Sequence, residues 1–291
     1  MMIKHGIIRE IDAFERIVII ETRKRIRTLY LPRSLFHQFD NFFMPGNNIV
    51  YTTRPPRSLK HQYHDNVKDV IKIIKPHRPK PKVLYSHQNI KSQLKDFINT
   101  LGAKMYLDIE MSMHPYTVDK SFTQEIIQVG YILVDHQDNV IEHYKAFIKP
   151  KLHQTLTRRT LKFLDLTQND IDEGISFINF YNHFKQQLEH YNPAIIVWGK
   201  NDEMAIKDAI KIHHLNAFSK PLRYINLLKL HKTYYRLKDD LGLLNAYKLY
   251  GGNSESQRHD ALDDANMTKF IFENFARVVN KTQALPLLEK F

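Results

Sequence analysis

Three separated stretches carry side chains whose types and spacing fit metal-assisted hydrolysis. In Asp108-Ile109-Glu110, two carboxylates flank an apolar residue. In a strand, residues two apart point to the same side, so both acids face one space and Ile109 faces the other. Paired carboxylates in a partly buried place repel one another, and a divalent cation relieves that repulsion. In Trp198-Gly199-Lys200-Asn201-Asp202, a buried strand runs into a glycine and an aspartate opens the next helix. In His259-Asp260-Ala261-Leu262-Asp263-Asp264-Ala265, a histidine at a loop end precedes Asp264 by five positions. The helix fixes that carboxylate for a metal, while the histidine is free to take a proton from a water.

Each stretch also has an ordinary reading. Asp-x-Glu is commonly a solvated strand face, and Asp202 alone would be a helix cap or first-turn acid. His64/Asp69 and His114/Asp119 repeat the spacing of His259/Asp264. The case rests on the three stretches together, in their order.

Their supports are legible as patterns. Met105 to Glu110 reads as a strand, followed by strands at Gln124 to Val134 and Val140 to Ile148, the latter two joined by an Asp138-Asn139 turn. Helical spacing covers Phe177 to Tyr191. Ala194 to Trp198 is a short buried strand, and Asp202 to His213 a helix. Arg223 to Leu230 reads as a fifth strand, Leu241 to Tyr250 as a helix ended by Gly251-Gly252, and Asp260 to Val279 as the last long helix. Strands followed by strand–helix alternation imply an α/β mixed sheet with flanking helices. Residues 1–75 read instead as a small β-rich domain. Strand-like runs around Ile17-Val18-Ile19-Ile20, Arg27 to Leu31, Ile49 to Thr53 and Val67 to Ile74 surround a short helix at Ser34 to Phe39. That pattern suggests an OB- or S1-like barrel. Phe36, Phe39, Phe42 and Phe43 read as its core. Arg23-Lys24-Arg25, Arg27, Tyr30, Arg54 and Arg57 would suit a face for single strands. Residues 76–102 read as a basic proline-rich linker and a connector helix from Ser86 to Leu101.

Residues 103–280 resemble the DEDDh 3′→5′ exonucleases (DnaQ-like, RNase T-like). The match runs through Leu107-Asp108-Ile109-Glu110, with Ser112 where the family usually has Thr, then Gln124 to Gly130, Trp198 to Asp202 and His259 to Ala265. The Trp-Gly-x-x-Asp form is most similar to the KapD and histone-mRNA exonuclease branch. The resemblance implies a ribonuclease-H-like domain over 103–291. It also implies two Mg²⁺ or Mn²⁺ ions held by Asp108, Glu110, Asp202 and Asp264, with His259 as general base. The family's spacing selects Asp264 over its neighbour Asp263. Ile109, Met111, Ser112 and Asn201 would contact substrate. Met111 fills a slot that is often small in the family, which bears on substrate preference.

Composition bounds the rest. Hydrophobic residues at 43% and charged residues at 25% are the mix of a globular chain with a substantial core. The absence of cysteine removes disulfide, thiolate-zinc and cysteine-nucleophile chemistry. No phosphate-loop motif points to ATP. No signal-peptide pattern or long apolar run is evident, so a cytoplasmic place and no membrane partner are expected. Of the formal charge of +12, residues 1–100 carry +11, which marks the first domain as a polyanion grip. His213-His214, His61, His64 and His77 read as surface residues, and Lys238-Asp239-Asp240 as a helix start. The expected activity is removal of mononucleotides from 3′ ends of single-stranded RNA or DNA, with RNA slightly favoured. The rivals are a non-catalytic nucleic-acid-binding adaptor and a DNA proofreading partner.

Overall fold

The computed structural model describes residues 3–54, 64–117, 122–235, 237, 239–253 and 259–284; Arg57, His61, Asp119 and Lys238 lie outside them. Two compact units divide the chain, Met1–Leu94 and Lys95–Phe291. Among the described residues no helix is long and apolar enough to cross a membrane.

The first unit contains β1 (Ile3–Asp12), β2 (Ile17–Glu21), β3 (Ile26–Tyr30), α1 (Arg33–Phe39), β4 (Asn48–Thr53), β5 (His64–Lys75) and β6 (Lys82–Ser86); α2 (His87–Asn99) follows. The strand order is β3-β2-β1-β4-β5-β6. A parallel pairing of β3 with β5, Thr28 opposite His64, closes the first five strands into the expected small barrel. Alternation explains its inside: Val18 and Ile20 of β2 point in, as do Ile8, Leu29, Ile49 and Ile73, and Phe36, Phe39 and Phe43 cap that core. Asp65 ties the closure. It accepts the Tyr51 hydroxyl at 2.7 Å and pairs with Lys4 at 2.6 Å and Arg27 at 3.2 Å, joining β1, β3 and β4 to β5. Two readings change. Lys82–Ser86, inside the stretch 76–102 expected to be linker and connector helix, turns back and pairs with β5 as β6. The outer face of β1 to β3 keeps Tyr30 exposed as expected, but its other large side chains are mainly aliphatic. It carries Ile7 and Ile26 with half-buried Ile17 and Ile19, and Tyr30 beside them.

The second unit contains β7 (Lys104–Met111), β8 (Ile126–Val134), β9 (Val140–Lys149), α3 (Arg158–Leu164), α4 (Gln168–Asp172), β10 (Ile175–Ser176), α5 (Phe177–Tyr191), β11 (Ala194–Val197), α6 (Asn201–Ile212), β12 (Tyr224–Asn226), α7 (Leu227–Tyr235), α8 (Leu243–Leu249) and α9 (Ala261–Val279). The sheet runs β10-β9-β8-β7-β11-β12. β7, β8 and β9 are antiparallel, and β11 is parallel to both β7 and β12. Period-two alternation sends Met105, Leu107, Ile109, Val129, Tyr131 and Leu133 into one core with Phe177, Phe180 and Phe184 of α5 and Ala205, Ile206 and Ala209 of α6. α9 packs on β7 and β8, where the Tyr106 and Phe272 rings lie 5.8 Å apart. Covered by helices, all nine residues of β8 are buried, which is why that strand reads as a continuous apolar run.

The fifth strand is shorter than its pattern. It stops at Asn226, whose side chain accepts the backbone N–H of Lys229 at 2.8 Å and so caps α7. Leu227 and His231 are then buried four apart on one helical face.

His231 is fully buried among the rings of Trp198, Tyr235, Tyr250 and Phe275, and among the described residues neither ring nitrogen has a hydrogen-bond partner. Burial lowers its pKa to about 4. The unfolded chain therefore takes the proton first as pH falls below about 6.5, and stability is lost from there down to the folded value. On going from pH 7 to pH 5, the change in stability measured by urea denaturation should be more favourable in His231→Phe than in the wild type by about 2 kcal/mol, whatever the net direction set by the other titrating groups. An unchanged difference would show that this histidine is solvated or paired.

Candidate active site

Asp108 and Glu110 lie on β7 opposite Gly130 and Gln128 of β8. A Cβ at Gly130 would come within 2.2 Å of the Leu262 nitrogen and 2.3 Å of the Ala261 carbonyl carbon. Only the bare glycine lets the first turn of α9 rest on the strand. Gln128, buried beside it, pins that turn. Its side-chain oxygen accepts the Ala261 N–H at 3.0 Å, and its nitrogen donates to Asp260 at 3.0 Å. Asp260 caps the helix by accepting the N–H groups of Leu262 and Asp263, and Lys145 of β9 pairs with it at 2.5 Å. Burial alone would raise the Asp260 pKa, but the hydrogen bonds from Lys145 and Gln128 and the lysine charge hold it below the usual range.

So seated, α9 aims Asp264 inward, 3% exposed, while Asp263 faces solvent. Directly before the cap, His259 has φ +51°, a left-handed backbone that turns its ring toward the acids. Its Nδ1 is 3.8 Å from Oε1 of Glu110. Candidate ligand atoms of Glu110, His259 and Asp264 all lie within 4.8 Å of one another.

Asp202 arrives from the far side. Gly199, at φ +121°, turns the chain from β11 into α6, and Trp198 anchors the turn by donating its indole N–H to the Leu241 carbonyl at 3.2 Å. Asp202 sits buried in the first turn of α6 and accepts the Ile109 backbone N–H at 3.1 Å, between the two acids of β7. Asp202 and Asp264 thus both stand at helix N-termini, where the dipole favours negative charge.

The structure brings the four acids into one electrostatic neighbourhood. Desolvation, then the charges of Asp202, Asp264 and Glu110, push Asp108 well above the ordinary carboxylate range. Desolvation, then Asp264 and Asp202, raise Glu110 to about 8. Asp202 is raised by burial and by Asp264, against the backbone N–H groups that lower it. Among the described residues, no lysine or arginine is ion-paired with Asp108, Glu110 or Asp202. An all-oxygen set of this charge, with one imidazole, fits hard divalent cations.

The residues expected to contact substrate separate. Met111, half-buried, and Asn201, exposed at the start of α6, keep accessible surface. Ile109 is packed into the core shared with α5 and α6, and Ser112 is buried. The Ser112 hydroxyl accepts the Glu125 N–H at 2.9 Å, so its role in the structure is to brace the strand end. Gln128, Asp260, Lys145 and Phe163 also serve the site, and no spacing in the sequence marks their roles. Phe163 of α3 stacks on His259, ring centroids 4.4 Å apart.

Comparison with known proteins gives the same assignment. A family model described as RNase_T, Exonuclease, matches residues 106–272. The chain belongs to that exonuclease family. It is 30% identical over 168 residues to the probable 3′-5′ exonuclease KapD of Bacillus subtilis (strain 168), covering 57% of this chain and 80% of that one. The nuclease domain of 3′hExo, a DEDDh family member solved with rAMP, shares the fold with TM-score 0.53 at 18% identity, over 66% of this chain and 98% of that one. Cell-death related nuclease 4 does so with TM-score 0.50 at 22% identity, over 62% and 64%. The acidic cluster thus stands in the ribonuclease-H-like sheet of an RNase_T-family chain, with a barrel N-terminal to it in sequence.

Raised carboxylate pKa values set a pH dependence. Between about 4.5 and 8 the folded protein binds more protons than the unfolded chain, so stability without metal falls as pH rises, by on the order of 1 kcal/mol per pH unit per such group. In EDTA, the melting temperature should drop from pH 5 to pH 8. Mn²⁺ should raise it more at pH 8 than at pH 5. Asp108→Asn should flatten the slope and shrink the Mn²⁺ effect. A melting temperature indifferent to Mn²⁺ at pH 8 would argue against cation binding.

Proposed function

We propose that this protein is a metal-dependent 3′→5′ exonuclease that removes mononucleotides from the 3′ end of single-stranded nucleic acid, favouring RNA over DNA. The observation that carries the reading is the convergence of Asp108, Glu110, Asp202 and Asp264 with His259 beside them. The RNA lean rests on the Trp198-Gly199-Lys200-Asn201-Asp202 turn and on likeness to an exonuclease solved with rAMP. An adaptor has no use for a cluster of acids that repel one another, and this chain keeps all five side chains.

In this reading Asp108, Glu110, Asp202 and Asp264 would hold two Mg²⁺ or Mn²⁺ ions, which supply positive charge to the attacking and leaving oxygens of an in-line displacement. His259 accepts the proton of the attacking water on a ring nitrogen, a general-base role that imidazole commonly fills. Attack at the last phosphodiester breaks the bond from phosphorus to the 3′ oxygen of the penultimate nucleotide. A nucleoside 5′-monophosphate leaves, and the shortened strand takes a proton on its new 3′ hydroxyl. Met111 and Asn201 line the approach of the terminal nucleotide. The cations of the β2–β3 turn, Arg23, Lys24 and Arg25, contact phosphates further along the strand.

The test uses 5′-labelled single-stranded RNA and DNA with and without Mn²⁺. The wild type should give a ladder of products shortened one nucleotide at a time, faster on RNA. Asp264→Ala should lose at least ~10²-fold, in line with removal of a metal ligand. No shortening, or equal shortening by Asp264→Ala, would favour the adaptor. Preference for a mispaired DNA primer end would favour proofreading. For the barrel, Arg23→Glu with Lys24→Glu should weaken binding to a 20-nucleotide strand and reduce the slope of log affinity against log salt by roughly 1 to 2. An unchanged slope would remove that turn from the interface.

A further inference from the structure

The first turn of α9 is pinned by Gln128 and Asp260, yet the His259 ring itself accepts and donates no hydrogen bond among the described residues; its Nδ1 lies 3.8 Å from Glu110 Oε1, beyond hydrogen-bond reach. What meets the face of the ring is Phe163, with centroids 4.4 Å apart and planes inclined by 29°. Phe163 is 47% exposed, on a helix whose core contacts are made by Leu161 and Leu164 instead. A large aromatic left half in solvent does little for that core.

The helix that carries Phe163 is fastened to the strand that carries the acids. Beyond the end of β7, the Met113 N–H donates to the Thr160 hydroxyl at 2.9 Å, and the Thr157 hydroxyl donates to the Met113 carbonyl at 2.9 Å. Thr157 also caps α3 by accepting the Thr160 N–H. Phe163, Asp108 and Glu110 are therefore held on one frame.

On the exonuclease reading above, we propose that Phe163 is the positioning residue of the general base: its ring fixes the plane of His259, so that a ring nitrogen stays aimed at the space enclosed by Glu110 and Asp264. The stack sets the plane, the left-handed backbone at His259 sets the direction, and together they replace the missing hydrogen bond. Stacked rings favour such offset arrangements. A base that swings out of line costs rate and leaves substrate affinity alone.

The experiment measures kcat and KM on single-stranded RNA with Mn²⁺ for the wild type, Phe163→Ala, Phe163→Tyr, His259→Ala and the Phe163→Ala/His259→Ala double variant. Phe163→Ala should lower kcat about 10-fold, well inside the ~10²-fold that a misplaced group can cost, with KM within about two-fold. Phe163→Tyr should restore kcat. In the His259→Ala background, removing Phe163 should change nothing more, because its effect passes through the imidazole. Equal losses in both backgrounds, or a rise in KM with kcat intact, would overturn the proposal and make Phe163 a contact for the terminal base. A second reading needs no activity. The His259 ring-proton NMR signals, identified by their loss in His259→Ala, should be shifted upfield in the wild type and in Phe163→Tyr, and should return downfield in Phe163→Ala. Signals that do not move would refute the stack. A wild type that shortens no strand while the NMR shift is present would count against the exonuclease reading and leave the ring contact established.

Discussion

Backbone lies directly on backbone where α9 begins over β8, and the site depends on that contact. At Gly130 there is no room for even one methyl group beneath the Ala261 and Leu262 peptides. The sheet carries Asp108 and Glu110, and the helix carries Asp264 at its first turn with His259 just ahead of it. Any residue larger than glycine would lift the helix start off the strand and open the cluster. Gln128, two residues earlier on the same face of β8, works on the same contact by bonding both the Ala261 N–H and the cap residue Asp260.

Holding four acids together is electrostatically unfavourable, and the surroundings offset part of that cost. Asp202 and Asp264 take the N-terminal ends of α6 and α9, where helix dipoles support negative charge. Asp202 also accepts the Ile109 N–H from between Asp108 and Glu110, so the strand backbone holds the most distant acid in register. Lys145 is drawn to Asp260 rather than into the cluster. The same neighbourhood that locks the helix cap with a cation thus leaves the central acids to be balanced by something else. The raised pKa values of Asp108 and Glu110 are the signature of that imbalance, and cation binding relieves it.

Which parts of this were legible in the sequence follows from the range of the forces involved. Helix α5 was readable from Phe177 to Tyr191 because its burial follows the helical repeat, with Phe177, Phe180, Tyr181 and Phe184 on one face. β7 was readable because apolar residues run up to Asp108, and Asp264 could be chosen over Asp263 by family spacing. β12 was over-extended because Leu227, Leu228 and Leu230 suit a strand or a helix equally, and the side chain of Asn226 decides between them. α3 and α4 leave little mark in the sequence although Thr157 and Thr167 each begin a cap, since both helices are too short for a clear repeat. Ser112 and Ile109 look like substrate contacts by position, and only packing shows how fully they are enclosed. Phe163 had no local mark at all; its partner is nearly a hundred residues away, and an exposed phenylalanine looks the same in sequence whether or not a histidine lies across it.

The barrel separates its two chemistries in the same physical terms. Asp65 takes Lys4 and Arg27 into its own ion cluster, so part of the N-terminal positive charge is used to close the strands rather than to meet a partner. Arg23, Lys24 and Arg25 are exposed on a turn closed by the Thr22 hydroxyl, which donates to the Arg25 carbonyl at 2.7 Å. The outer face of β1 to β3 beside them is mainly isoleucine, with Tyr30 the aromatic ring exposed beside Ile17, so it offers little π-surface on which bases can stack. On the proposed reading, such a surface would meet a polyanion through its phosphates along the turn more than through its bases, and a grip of that kind leaves the base sequence unread.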